Sequence, residues 1–165
     1  MPATYTPIAT TTLGSAAASY TFSSISGSYT DLMIVFSGTI TAPLSASFSM
    51  RFNSDTASNY SDTNIYGTGS AAGSYRDTSS TNIRIGAVNN GTGAQSNFMI
   101  HVMNYANTTT YKTALARFND AGAETAGIVG TWRNTSAITS ITFLLASTST
   151  YATGSTFTLY GIAAA

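Results

Sequence analysis

The chain has no cysteine, so neither disulfide bridges nor thiolate metal sites are open to it. Charge is almost as scarce. Asp, Glu, Lys and Arg make up 7% of 165 residues, against about 25% in an ordinary soluble domain. The six basic and six acidic residues are scattered singly and cancel. That leaves no basic stripe to neutralise phosphates and argues against a nucleic-acid partner. No run approaches the roughly 20 apolar residues of a membrane span, so no membrane segment is expected. The opening MPATYTPIATTTLGS lacks both the basic start and the apolar core of a secretory signal. The sequence reads as a leaderless soluble product.

Hydroxyls stand where charge is missing: there are 29 Thr and 23 Ser. Low charge with much Ser and Gly is one mark of disorder, but disorder also needs low hydrophobicity. Here 43% of residues are apolar, with ten Tyr and eight Phe to build a core. The length is that of one ordinary domain, and a single domain over 1–165 is expected. Zero net charge on a hydroxyl-rich surface favours association, which points to a protein that lives in an assembly.

Helix signals are nearly absent. Short runs rich in Thr, Ile, Val, Phe and Tyr recur between Gly, Ser, Asn and Asp clusters, the pattern of an all-β sandwich. Strands are expected near 19–25, 30–38, 46–52, 82–88, 97–104, 111–118, 126–133, 138–146 and 155–162. Their number and spacing predict two packed antiparallel sheets, jelly-roll-like. In ASFSMRF, Phe48, Met50 and Phe52 alternate with Ser47, Ser49 and Arg51, so the aromatic side is the inner one. Phe98, Ile100, Val102, Phe143, Phe157 and the lone Trp132 join the expected core, with Arg133 turned outward.

Chemistry is hard to find. Asn53, Asp55, Asn59 and Asp62 offer oxygen ligands, but they miss the calcium-loop pattern, and Asp and Asn before Thr or Ser are what turns use. Neither a metal nor a cofactor is expected. His101, the one histidine, sits inside a predicted strand, and no Gly-x-Ser-x-Gly elbow is present. GTGSAAGS lacks the lysine of a phosphate loop. The chain is not read as an enzyme, and no catalytic residue is assigned.

Two features invite a binding role instead. In NFMIHVMNY the face opposite Phe98, Ile100 and Val102 carries Met99, His101 and Met103, where a solvent-facing strand would show Thr or charge. That face is a candidate interface. Residues 53–81 form a long connection, expected to be exposed at one end of the sandwich. Its Tyr60, Tyr66 and Tyr75 either stack on sugars or other partners, or plug the end of the sandwich.

The stretches GSTFTLYGIAAA, NYANTTTYKTALARFND, GTWRNTSAITSITF, FNSDTASNYSDTNIYGTGS and YTPIATTTLGSAAASYTFSSI together resemble small virion structural proteins of tailed phages, in particular those of cyanobacteria and other aquatic bacteria. The resemblance runs from about residue 4 to the end; Ala163 stands where relatives often carry a basic residue. It implies a β-sandwich that is part of the particle. A capsid decoration (cement) protein is the expected function, as a trimer on the outer capsid surface that clamps neighbouring major capsid protein subunits. The alternative is a tail or fibre receptor-binding module for host surface glycans. The terminal GSTFTLYGIAAA is expected to be tied down as a strand of a homo-oligomer. Phe157 and Leu159 would face the core, and Tyr160 and Ile162 a neighbour.

Overall fold

A computed structural model of the protein describes residues 4–41, 45–89, 95–120, 124–146 and 148–163. Among these there is no helix. Twelve strands follow one another: β1 (Tyr5–Thr12), β2 (Ser19–Phe22), β3 (Asp31–Gly38), β4 (Ser45–Phe52), β5 (Tyr60–Gly67) and β6 (Ala72–Ser80), then β7 (Ile83–Asn89), β8 (Ser96–Met103), β9 (Lys112–Asp120), β10 (Thr125–Trp132), β11 (Ile141–Leu145) and β12 (Thr156–Ile162). They form an eight-stranded sheet in the order β1-β12-β3-β8-β9-β10-β5-β6 and a four-stranded sheet in the order β2-β11-β4-β7. Every ladder is antiparallel. The fold is an all-β sandwich of two antiparallel sheets, and its ribbons run as in a jelly roll. β3 pairs with β8 in one sheet while its continuation β4 pairs with β7 in the other, and the same two strands flank β12 and β11.

Alternation in the sequence becomes alternation in burial. β3, β4 and β8 each bury every second residue, and those residues meet between the sheets. The centre is aromatic: Phe48 lies near Phe36, Phe98 and Phe143, with ring centroids 4.5 to 5.5 Å apart. All eight residues expected in the core (Phe48, Met50, Phe52, Phe98, Ile100, Val102, Phe143 and Phe157) are buried, as is Trp132. Gly86 makes room for this packing. It has φ +150°, and a side chain there would collide with the ring of Phe118.

Two expectations need correction. The strand β1 lies within a segment given no strand, because Pro7 and the run of threonines hide its alternation; it pairs with β12, with a bulge between Pro7 and Ala9. The 53–81 connection is not an exposed loop. It holds the β5–β6 hairpin: β5 buries Tyr60, Asp62 and Asn64, while β6, the edge strand, leaves most of its residues exposed. The C-terminal strand β12 is a sheet strand as expected, held between β1 and β3 of the same chain. Phe157 and Leu159 do face the core, and Tyr160 and Ile162 lie on the opposite side. Of the final alanines, Ala164 and Ala165 lie outside the described residues.

Candidate functional site: the outward face of the large sheet

Cross-strand register assembles the outward face of the eight-stranded sheet from residues far apart in sequence. Tyr160 stands opposite Met33, Met33 opposite His101, His101 opposite Leu115 and Leu115 opposite Val129. The next row runs from Val35 through Met99 and Arg117 to Gly127 and Ile65. The candidates Met99, His101, Met103, Tyr160 and Ile162 therefore share one face. Met103 lies opposite Thr113, and Ile162 opposite Asp31 and Tyr5. The face is open and apolar at its middle: Ile65 is 68% exposed, Val129 50%, Leu115 40% and Met99 36%.

Its polar groups are held by neighbours. His101 Nε2 lies 2.8 Å from Asp31 Oδ2, and Asp31 Oδ1 accepts from the Asn104 backbone N–H at 2.7 Å. The carboxylate thus fixes the ring from one side. The residues directly across from the ring are Met33 and Leu115, so no hydroxyl nucleophile stands opposite it in the sheet. Arg117 Nη2 donates to Met99 Sδ at 2.8 Å. This contact separates two shallow depressions. One, of about 230 Å³, is lined by Met33, Met99, His101, Leu115 and Arg117. The other, of about 340 Å³, is lined by Val35, Asn97, Met99, Arg117, Asn119 and Thr125.

The tyrosines of the 53–81 segment do not form an exposed cluster. Tyr60 is fully buried beside Phe52 and Trp132, and its hydroxyl donates to the Phe52 and Asp55 carbonyls. Burial pushes its pKa up to about 12. The alternation that makes Tyr60 the first inward residue of β5 is what removes it from solvent. Tyr66 and Tyr75 are half-buried. Tyr75 accepts from Asn64 Nδ2 at 3.1 Å, and the Arg84 guanidinium lies 4.8 Å from its ring centroid. Asp55 is a turn and packing residue. It accepts from Ala57 N–H, Asn59 Nδ2 and Trp132 Nε1, bonds that hold its carboxyl below the usual range although its burial opposes them. Among the described residues, no three or more His, Asp or Glu side chains stand together as a metal site would require.

Sequence reasoning found the β8 side of this face and missed Met33, Leu115, Val129 and Ile65. A signal existed in TALARFND, where Leu115 alternates with buried Ala114 and Ala116. It becomes legible only once the strand register is known.

No family model matches the chain, and no curated protein does. Solved structures give only distant likenesses. Galectin LEC-6 of Caenorhabditis elegans aligns at 8% identity over 94% of this chain and 96% of that one, with a TM-score of 0.36. The alginate lyase Aly36B aligns at 8% identity over 91% and 78%, with a TM-score of 0.36. The PL-14 alginate lyase of Aplysia kurodai aligns at 8% identity over 83% and 72%, with a TM-score of 0.29.

Proposed function

We propose that this chain is a structural protein of a phage virion, a capsid decoration protein that packs the outward face of its eight-stranded sheet against a neighbour. The observation that carries the reading is the set of outward apolar side chains Met33, Leu115 and Val129 either side of His101, with Met99 and Ile65 beside them, on a chain rich in hydroxyls. An apolar patch of this kind marks a contact surface more often than a solvated one. The resemblance to virion proteins adds the partners: other copies of the chain, as a trimer, and the major capsid protein. The role is structural and not enzymatic, and it places the protein on the outer capsid surface. Sedimentation with capsids stripped of the protein tests it. Wild type co-sediments, and Leu115→Asp, still folded, does not. A wild-type protein that stays monomeric at high concentration and leaves the capsids bare overturns the proposal.

The second reading, a tail or fibre module for host glycans, is favoured by one observation. Asn97, Asn119 and Arg117 rim an apolar-floored depression of about 340 Å³, at the lower end of the size of small-ligand sites. Binding on a glycan array that Asn119→Ala removes would select this reading over the first.

A further inference from the structure

The inward face of the β5–β6 hairpin carries a buried polar cluster where a core is expected. Asp62 and Asn64 are each 2% exposed. Asp62 Oδ1 accepts from the Arg84 backbone N–H at 3.1 Å, so its carboxylate caps β7, a strand at the edge of the small sheet. Its other oxygen, Oδ2, is buried without a hydrogen-bond partner, and so is Asn64 Oδ1. Two unpartnered acceptors thus lie on one face of one strand, two residues apart. An ionised carboxylate only accepts and leaves both unsatisfied, whereas a protonated one gains a donor at Oδ2. Across the ladder, Asp62 stands opposite Asp77, next to a bulge where Ser79 takes φ 57°. Like charges at directly opposed positions destabilise a strand pair. β6 is the outermost strand of its sheet and is hydrogen-bonded to β5 alone.

We infer that the β5–β6 hairpin is a pH-sensitive latch, closed over β7 while the Asp62 carboxyl holds its proton and loosened when that carboxyl ionises opposite Asp77. The groups facing Asp62 can be named. Tyr60 and Asn64 flank it on β5, Tyr75 and Asp77 lie on β6, and Arg84 is on β7. On the neighbouring β10 the residues across from this face are Ile128, Gly130 and Trp132, none ionisable. Burial raises the Asp62 pKa to about 6, with Asp77 adding to it and the bond to the Arg84 N–H and the Arg84 charge opposing. The folded pKa is above the unfolded one. The latch is therefore fully closed at low pH and weakens as pH rises from about 4 through about 6. The competing outcome is that ionised Asp62 draws in Arg84, whose Nε is also buried and unpartnered. That would tighten the hairpin at high pH.

Hydrogen-exchange protection factors of the β6 and β5 amides at pH 5 and pH 7.5, corrected for intrinsic exchange rates, decide between them. Protection of the β5–β6 pairing falls at pH 7.5 by about tenfold, while β3–β12 amides keep theirs. Asp62→Asn, which keeps a donor at that position at every pH, removes the difference, and Asp77→Asn reduces it in a protein that keeps its buried Asp62. Equal protection of the wild-type hairpin at both pH values, or greater protection at pH 7.5, overturns the inference.

Discussion

The two outward faces of this sandwich are built from different residues. On the four-stranded sheet, solvent meets Ser47, Ser49 and Arg51 of β4, Thr142 of β11 and Thr21 of β2, with Leu144 the one large apolar side chain among the described strand residues. Thr21 and Thr142 bond each other across the strands, their hydroxyl oxygens 2.9 Å apart. On the eight-stranded sheet the β1–β12 side carries the same kind of threonine pairs, Thr10 with Thr158 and Thr12 with Thr156, but across β3, β8, β9, β10 and β5 the outward positions include Met33, Val35, Met99, Leu115, Val129 and Ile65. Both faces sit behind the same aromatic core, so core packing does not account for the difference. A β-branched hydroxyl suits an exposed strand and keeps the surface wet, whereas a Met–Leu–Val row exposes apolar area that gains only when covered. The difference lies in where the sandwich exposes its large apolar side chains: Met99, Leu115, Val129 and Ile65 stand on the outward side of the large sheet.

The comparison can be sharpened first along β8, whose two sides differ most. Phe98→Ala empties a space beside Phe36, Phe48 and Phe118 and should cost about 3–5 kcal/mol, read as a lowered urea midpoint. Its neighbour Met99→Ala should cost less than about 1 kcal/mol in the same experiment, because Met99 points outward. Equal costs for the two would break the assignment of faces.

Tyr60→Phe should cost about 1–2 kcal/mol, through loss of a buried hydroxyl that bonds the Phe52 and Asp55 backbone. A silent substitution would return Tyr60 to the surface. The association test comes next. Val129→Asp should weaken self-association at least tenfold, roughly 1.4 kcal/mol, with unfolding little changed. Ser49→Asp on the small sheet should leave association as it was. Light scattering across a concentration series measures both. The smallest expected effect is that of Thr142→Val, within about 0.5 kcal/mol, since its partner Thr21 turns to water.

How much of this was legible in the sequence follows from where the information lies. The inner faces of β3, β4 and β8 alternate cleanly, so the sandwich and its aromatic core could be read residue by residue. β5 could not. Its inward positions are Tyr60, Asp62 and Asn64, two of them polar, and a strand that buries polar groups looks like a loop. β1 was masked by Pro7 and by a threonine run in which no apolar period appears. The Met99–His101–Met103 side of β8 was visible because a strand with two apolar sides is locally odd. Its partners Met33, Leu115 and Val129 come from three other strands, and only register brings them together. Local pattern carries no register between strands so distant in sequence.

The central claim is that the outward face of the eight-stranded sheet is the contact face within a virion. Cryo-electron microscopy of the intact particle tests it most directly, at a resolution that separates strands. The account predicts a sandwich on the outer capsid surface with Met99, Leu115 and Val129 against a neighbouring subunit and the Ser47–Ser49–Arg51 side in solvent. A sandwich seated by its four-stranded sheet, with the Met–Leu–Val row facing water, would contradict it.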